Sequence, residues 1–235
     1  LWIYDVKGER TQFTRTADDE NWMIWSPDGD RVAYNSFTPD TLSLLQRPAS
    51  GTGVPLRLLT DAMGKWPVSW SANNILFVAN RPITGNDVWV LPLTGARQPV
   101  PFAATEASEN WATFSPDGNY VAFSSTEATG QAEVYVSPFP ATGRKWRISA
   151  DGGSQTRWRR ANELIYIAPD RRLMAATIRF AGDELVVTDI SPLFQISYPY
   201  GAYHAFDVTK DGQRILVNTT VISSASPSLT VQLNP

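Results

Sequence analysis

His204 is the only histidine in this chain of 235 residues, and the chain contains no cysteine. These counts exclude thiolate and multi-histidine metal sites, disulfide bonds and a cysteine nucleophile. A serine hydrolase built on His204 would need a serine presented on a strained turn, but the motif G-x-S-x-G is absent. The residue types therefore predict no catalytic residue, and we expect that the chain is not an enzyme.

The run from Asp207 to Gly212 resembles the start of a calcium-binding loop, because acidic residues open it. Position 12 of such a loop requires a bidentate glutamate, and here that position is Asn218. The pair Asp211-Gly212 also fits a hairpin turn that recurs elsewhere in the chain. Phosphate-binding and kinase motifs are absent as well. We therefore predict no metal site and no cofactor.

Charge limits the classes of partner. The chain has 20 Lys and Arg residues and 23 Asp and Glu residues, a net charge of -3, which argues against a nucleic-acid partner. Residues 144–172 are an exception, since eight basic residues stand there against three acidic ones, with Trp146 and Trp158 among them. This segment could stack on an anionic partner, but strand alternation would also turn its arginines toward aromatic neighbours inside the fold. In the chain as a whole, no apolar run approaches the ~20 residues of a membrane-spanning helix, so we expect the chain to make no contact with a membrane.

A sequence motif recurs along the chain and predicts its fold. The sequence WSPDGDRVAY at 25–34 returns as FSPDGNYVAF at 114–123, and weaker copies begin at 70, 158 and 208. We call the first residue of each copy its anchor: Trp25, Trp70, Phe114, Trp158 and Val208. The spacings between successive anchors are 45, 44, 44 and 50 residues. Pro and Gly in the motif predict a tight turn between two strands. Four antiparallel strands at this period are typical of a β-propeller blade, so we predict an all-β fold whose blades stack around a channel.

The blades are predicted to form a single domain over residues 1–235. Four full blades cover 21–61, 66–103, 110–149 and 155–188, a half blade covers 1–14, and the last blade covers 203–233. Five blades would result if the half blade paired with 203–219. We favour a six-bladed propeller with one incomplete blade, because the strand SLTVQL at 228–233 already fills the place that residues 1–6 would take. On this interpretation the chain is a fragment, and the missing strands lie upstream of Leu1.

The repeated unit (W/F)-S-P-D-G-x-x-(V/I)-A-(F/Y), followed by an outer strand such as DVWVLP or EVYVSP, resembles the TolB-like family of WD-repeat-like propellers. The resemblance covers essentially the whole chain. The run from Phe114 to Arg160, with DVTKDGQRILVN and the terminal VQLNP, is similar to the propeller region of large bacterial signalling proteins, many of which carry a serine/threonine kinase domain. This resemblance implies a six-bladed fold, a sensory or protein-interaction role, and a periplasmic or other extracytoplasmic location.

Two copies of the motif depart from the pattern. Ala72-Asn73-Asn74 and Arg160-Ala161-Asn162 replace Pro-Asp-Gly. The turn geometry is expected to differ there. Asparagine is the next best residue for the left-handed conformation, so the fold prediction is unchanged.

In a propeller the loop before each innermost strand opens at the mouth of the channel, so residues just before the anchors form the candidate site. Large aromatic and polar residues recur at these positions. We call ten of them the mouth residues: Trp22, Lys65, Trp66, Glu109, Asn110, Trp111, Gln155, Arg157, Tyr203 and His204. Tryptophan and tyrosine supply rigid contact area, and polar neighbours set orientation. The tryptophans could instead recur because equivalent residues pack between repeated blades.

Together these patterns favour a non-catalytic propeller that binds a protein or peptide partner, or senses a small ligand. Two alternatives stay open. An accessory propeller of a prolyl-oligopeptidase-like peptidase would continue into an α/β domain with G-x-S-x-G, and the terminal SLTVQLNP gives no sign of one. A propeller enzyme acting at the channel face would show clustered carboxylates or a calcium ion at the mouth.

Overall fold

The computed structural model describes residues 1–5, 7–61, 64–198, 204–219 and 232–233. All regular secondary structure in these ranges is β-strand. Among the same residues, none belongs to a helix long and apolar enough to cross a membrane. The chain divides into two compact units, Leu1–Ser108 (unit 1) and Glu109–Pro235 (unit 2).

Unit 1 contains one two-stranded sheet and two four-stranded sheets, all antiparallel. The first sheet consists of β1 (Trp2–Tyr4) and β2 (Arg10–Gln12). The second consists of β3 (Asp19–Trp25), β4 (Arg31–Phe37), β5 (Leu42–Pro48) and β6 (Leu56–Asp61). The third consists of β7 (Lys65–Trp70), β8 (Asn74–Arg81), β9 (Gly85–Pro92) and β10 (Val100–Ala103). Each four-stranded sheet is a meander, because strands adjacent in space are adjacent in sequence.

Unit 2 repeats this organisation. One four-stranded sheet consists of β11 (Glu109–Phe114), β12 (Tyr120–Ser125), β13 (Glu133–Pro138) and β14 (Trp146–Arg147). The next consists of β15 (Ser154–Arg160), β16 (Glu163–Ile167), β17 (Arg172–Ala181) and β18 (Glu184–Gln195). The last consists of β19 (Phe206–Val208), β20 (Ile215–Val217) and β21 (Gln232–Leu233). The predicted all-β class with four-stranded antiparallel sheets is confirmed.

The strand pairing near the two ends is consistent with the six-bladed arrangement. In unit 2, β21 pairs with β20 through Leu216↔Leu233 and Val217↔Gln232, in the place that five-bladed closure would give to the first residues of the chain. In unit 1, β1 pairs with β2. Phe13, which follows β2, meets Tyr34 of β4 edge to face with ring centroids 5.7 Å apart. The two-stranded sheet thus packs beside the sheet β3–β6.

Within each unit, consecutive sheets pack face to face through alternate residues of their strands. In unit 1, Leu44 of one sheet shares a buried cluster with Trp70 and Phe77 of the next. In unit 2, Val134 shares another cluster with Trp158. Because successive side chains of a strand point to opposite faces, a sheet between two others has two apolar faces and requires a neighbour on each side.

The SPDG turn is fixed by its serine and aspartate side chains. Ser26 Oγ donates a hydrogen bond to Asp28 Oδ1 and accepts one from Arg31 N at 2.9 Å. Gly29 has a φ of +80°, and its N donates to Ser26 O at 2.9 Å. Two further turns have the same pattern, built by Ser115, Asp117 and Gly118 and by Thr209, Asp211 and Gly212.

These hydrogen bonds lower the pKa of the turn carboxyls below their ordinary value. The Ser26 hydroxyl is the main cause of the lowered pKa of Asp28. At Asp117 burial is the largest influence and raises the pKa, but hydrogen bonds from Ser115 and from neighbouring groups outweigh it, so the pKa is lowered. A carboxyl with a depressed pKa stabilises the fold above its unfolded pKa, and that contribution is lost as pH falls below about 3.8.

The copies that lack Pro-Asp-Gly form different turns. Trp70 pairs with Ile75 in the second copy, whereas Trp25 pairs with Val32 in the intact motif, so the second loop is two residues shorter. None of its residues has a positive φ, and neither does any residue of 160–162. Asparagine therefore does not take the left-handed position here, because the altered loops no longer require one.

Gly118→Val should lower the free energy of unfolding of the chain by roughly 1–2 kcal/mol, because a β-branched residue resists the φ of +74° at this position. Apart from Gly118 itself and its two chain neighbours, no described heavy atom lies within 4 Å of the position of the added Cβ, so the loss would report backbone strain and not a clash. Gly118→Asn is the matched control, since asparagine tolerates this conformation better. Urea unfolding measures both, and an unchanged midpoint for the valine variant would contradict the turn assignment.

Candidate functional site

Three non-glycine residues adopt the left-handed conformation near the start of an inner strand. They are Trp22 in β3 (φ +48°), Trp111 in β11 (φ +57°) and Gln155 in β15 (φ +52°). Each lies in a register shift, where its strand bulges away from regular pairing. In β7 the equivalent residue is Pro67, whose ring holds φ near -65°. Left-handed backbone at a non-glycine residue costs on the order of 1–3 kcal/mol and persists only where other contacts hold it.

In unit 1, the mouth residues Trp22 and Trp66 lie side by side. Their ring centroids are 6.1 Å apart with 48° between the ring planes, and both residues are half-buried. Lys65 is only 2% exposed, so its side chain is enclosed by packing. The two tryptophan rings are therefore the part of this group that a partner can reach.

In unit 2, the mouth residues meet around His204. Its imidazole contacts the Trp111 ring edge to face, with ring centroids 6.0 Å apart and 76° between the planes. Gln155 Oε1 accepts a hydrogen bond from Ala205 N at 2.8 Å, which fixes the backbone next to His204. Side chains from β11 and β15 and from the segment before β19 thus come together at one place.

Arg157 uses each of its three guanidinium nitrogens in a hydrogen bond. Nε donates to Asp207 Oδ1 at 3.0 Å, Nη1 to Thr156 O at 2.8 Å, and Nη2 to His204 Nδ1 at 2.7 Å. The Arg157 side chain is 16% exposed, whereas that of Asp207 is 65% exposed. The guanidinium is therefore a fixed part of the site, and its position determines how the imidazole is oriented.

The contact with Arg157 determines the tautomer of His204. A guanidinium only donates hydrogen bonds, so Nδ1 accepts and the ring proton lies on Nε2. The pKa of His204 is lowered from 6.5 to about 4: burial is the main cause, the charge of Arg157 adds to it, and Asp207 partly opposes both. The imidazole is neutral at pH 7. In a hydrolase triad the histidine Nδ1 donates to a carboxylate, whereas here it accepts from a cation, so the ring is not arranged as a general base.

Two other mouth residues of unit 2 accept hydrogen bonds from serine side chains of β12. Glu109 is fully buried, and its Oε1 accepts a hydrogen bond from Ser125 Oγ at 3.1 Å. Asn110 is half-buried, and its carbonyl oxygen accepts from Ser124 Oγ at 3.2 Å. Both contacts tie β11 to β12 just before Trp111. Glu109 therefore acts within the fold and not on the surface.

Strand β15 makes contacts on both of its faces. Thr156 Oγ1 donates to Trp111 O at 2.7 Å, and Trp158 Nε1 donates to Thr113 O at 3.2 Å, so these side chains reach β11. The alternate residues Gln155, Arg157 and Arg159 instead make side-chain hydrogen bonds with residues in the range 204–212.

Thr156 and Asp207 contact mouth residues, but sequence analysis did not select them as members of the site. Period-two alternation along β15 is the signal that would have indicated Thr156, because it places residues 156 and 158 on one face of the strand. In the sequence, Asp207 stands out only as the first residue of the run that resembles a calcium-binding loop. Tyr203, a predicted mouth residue, lies outside the described residues.

The basic segment 144–172 is largely paired within unit 2. Seven of its eight basic residues make an ion pair or a cation–π contact, including Lys145 with Glu127 and Arg171 over the Tyr198 ring. Such contacts agree with the alternative in which these side chains serve the fold. Across the described ranges, no three His, Asp or Glu side chains are grouped so that they could hold a metal ion.

Comparisons with known proteins bear on the fold. No family model and no curated protein sequence matches the chain. Among solved structures, TolB from Acinetobacter baumannii is similar with a TM-score of 0.71 and 17% identity, over 94% of this chain and 54% of that one. An oligogalacturonate lyase in complex with manganese gives a TM-score of 0.60 and 13% identity, over 100% of this chain and 82% of the lyase chain. A puromycin-hydrolyzing peptidase of Mycobacterium tuberculosis is similar with a TM-score of 0.58 and 14% identity, over 95% of this chain and 37% of the peptidase chain.

The chain has the fold of a TolB-like β-propeller. It spans about half the length of the Acinetobacter TolB, 54% of that chain. A lyase and a peptidase are similar to it as well, and one fold supports many functions. The likeness therefore confirms the predicted propeller fold, and the function has to be argued from the site.

Thr156→Val should lower the free energy of unfolding by about 1–3 kcal/mol, because it deletes the hydrogen bond to Trp111 O from a side chain that is 0% exposed. Valine has nearly the same shape, so the loss reports the hydroxyl. Thr188→Val is the matched control, since Thr188 also donates to a carbonyl, at 3.2 Å, but is exposed; we expect a change within about 0.5 kcal/mol. Urea denaturation followed by tryptophan fluorescence measures both, and equal losses would refute the role given to Thr156.

Proposed function

We propose that the chain is a non-catalytic propeller module that binds a protein or peptide partner through its mouth residues. The observation that carries this proposal is the arrangement in unit 2. There Trp111 is half-buried against a neutral imidazole whose orientation is locked by Arg157. The result is a rigid aromatic surface with polar groups at fixed positions beside it.

Backbone strain at the tryptophans supports a role in contact. Trp22 and Trp111 occupy left-handed positions that glycine would adopt at little cost. Strain of this kind concentrates at positions whose side-chain direction matters for function. Each bulge also re-aims its tryptophan relative to the regular alternation of the strand. The rings of Trp22 and Trp111 are half-buried, so each can offer an edge or a face to a partner.

The side-chain types agree with peptide recognition. Tryptophan is among the residues that contribute most to binding energy in protein interfaces, and its ring loses little conformational entropy when it is already held in place. The pair Trp22 and Trp66 supplies a second aromatic surface in unit 1. A peptide with apolar side chains is the partner class that such surfaces bind best.

The state of His204 supports a non-catalytic role. Nδ1 is occupied by the hydrogen bond from Arg157 and Nε2 carries the proton, so the neutral ring has no lone pair available to abstract a proton from a substrate. The low pKa, about 4, also makes the ring a poor base near neutral pH. This imidazole is suited to positioning a partner.

Two finer parts of the proposal come from sequence resemblance. One is a location outside the cytoplasmic membrane, periplasmic or otherwise extracytoplasmic. The other is a place in bacterial envelope or signalling proteins, including those with kinase domains. The structural similarity to TolB agrees with the family on which both parts rest.

A second candidate is the accessory propeller of a peptidase. The observation that favours it is the similarity to a puromycin-hydrolyzing peptidase, which covers 95% of this chain but 37% of that one. This candidate requires an α/β hydrolase domain with G-x-S-x-G on the same polypeptide. The coding sequence on either side of the present chain tests it directly, because an adjoining domain of that kind would replace our first proposal.

A random peptide library displayed on phage and panned against the purified chain should yield binders rich in apolar residues. Trp111→Ala should weaken the binding of these peptides roughly tenfold or more, because it removes the aromatic surface beside His204. Fluorescence anisotropy of the synthesised peptides measures the change. Failure to enrich any peptide whose binding depends on Trp111 or Trp22 would contradict the proposal.

Trp25→Ala is the matched control for this experiment. Trp25 is 48% exposed and ends β3, three residues after Trp22 at the turn end of the strand. Its removal should leave peptide binding unchanged. The melting temperature of the Trp111→Ala variant should stay close to that of the native chain. A drop of many degrees would identify Trp111 as a packing residue, as the alternative explanation of the recurring tryptophans holds.

A further inference from the structure

Arg157 has more hydrogen-bond donors than its contacts within unit 2 use. A guanidinium carries five N–H donors, one on Nε and two on each terminal nitrogen. Within the described residues, Nε donates to Asp207 Oδ1 at 3.0 Å, Nη1 to Thr156 O at 2.8 Å and Nη2 to His204 Nδ1 at 2.7 Å. One N–H on Nη1 and one on Nη2 therefore have no acceptor in the described part of the chain.

The guanidinium is held in place and is partly open to solvent. Its three acceptors belong to β15, to β19 and to the segment that precedes β19. The Arg157 side chain is 16% exposed, so part of its surface faces outward. A donor that is already fixed loses little conformational entropy when a ligand binds to it. The two spare N–H groups are thus presented in a set orientation.

The positive charge of Arg157 is only partly balanced inside the site. Its anionic contact is Asp207, whose side chain is 65% exposed, and water screens an ion pair that has an exposed member. At the His204 imidazole the charge of Arg157 outweighs that of Asp207, because the arginine lowers the histidine pKa more than the aspartate raises it. The potential from this pair is therefore positive at the imidazole, which the Trp111 ring contacts.

We propose that the unit 2 site binds a carboxylate group of its peptide partner through the spare N–H groups of Arg157, with an apolar side chain of the same peptide against Trp111. This inference rests on the binding role proposed above and adds the chemistry of the ligand. The two oxygens of a carboxylate match two guanidinium nitrogens in the bidentate arrangement typical of arginine. A phosphate group carries about two negative charges near pH 7, so Asp207 would repel it more strongly.

Two small probes that differ only in charge test the native chain. N-acetyl-leucine has the carboxylate of a chain end beside an apolar side chain, and N-acetyl-leucinamide is its neutral match. The chain has one histidine, so NMR of the histidine-labelled protein gives a single set of imidazole signals that reports binding next to Arg157. We expect the acid to bind roughly tenfold more tightly than the amide. Equal affinities for the two probes would overturn the proposal.

Two further probes identify the source of the anion. The α-amide of N-acetylglutamate carries its carboxylate on the side chain. Tighter binding of N-acetyl-leucine assigns the site to the end of a peptide, whereas tighter binding of the glutamate derivative assigns it to an acidic side chain, and both results support a carboxylate site. Inorganic phosphate that binds more tightly than either carboxylate would contradict the proposal.

Two variants should change the affinity for N-acetyl-leucine in opposite directions. Arg157→Gln removes the charged donor and should weaken binding roughly tenfold or more. Asp207→Asn removes a competing negative charge, while its side-chain oxygen can still accept from Arg157 Nε, so binding should become tighter. Arg172→Gln is the matched control, since Arg172 pairs with Asp170 at 3.1 Å, and should leave the affinity unchanged. Weaker binding by Asp207→Asn, or unchanged binding by a folded Arg157→Gln variant, would refute the assigned contacts.

Carboxylate binding and peptide binding can be separated by experiment. If N-acetyl-leucine binds through Arg157 but no library peptide depends on Trp111 or Trp22, the carboxylate site stands and the peptide-binding role fails. The peptide-binding role stands and the carboxylate site fails if Trp111-dependent peptides bind equally well with carboxylate and carboxamide ends, and keep their affinity when acidic side chains are replaced by amides. The comparison of acid and amide on the native chain does not depend on whether Arg157→Gln folds.

Discussion

The side chains of β15 hold the neighbouring sheets of unit 2 in register. Thr156 and Trp158 donate hydrogen bonds to carbonyl oxygens of β11, while Gln155, Arg157 and Arg159 bond to the segment 204–212. This division follows from the alternation of side chains along a strand. Apolar packing alone is not directional, whereas hydrogen bonds to backbone atoms require one relative position of the two sheets. The strand therefore sets where the flanking loops lie.

The candidate site depends on the same contacts. The strained backbone at Trp111 is held by Thr156, and the backbone beside His204 is held by Gln155, which is itself left-handed. Fold and site are thus not separate features, because the bonds that align the sheets also present the aromatic rings. This explains why a residue with no exposed surface, such as Thr156, belongs to the description of the site.

Arg157 has two roles in the structure. It joins β15 to β19 through Asp207, and it determines the tautomer and charge of His204. The Arg157 guanidinium beside the imidazole keeps the ring neutral and accepting, which is the reverse of the arrangement in a hydrolase triad. The propeller fold accommodates enzymes and binding proteins alike, so this local electrostatic arrangement, and not the fold, is what supports a binding role.

The amino-acid sequence by itself determined the repeat, the four-stranded meander and the turn chemistry. These are local properties: alternation, β-branched and aromatic content, and a Ser-x-Asp-Gly turn that closes on its own side chains. It also indicated the tryptophans before each inner strand, since equivalent positions recur with the repeat. Only the tertiary structure decided which of these residues meet, that Lys65 and Glu109 are enclosed, and that the loop after Trp70 is shortened. Contacts such as Arg157 with His204 join residues 47 positions apart, and no pattern within one repeat specifies how two sheets approach each other.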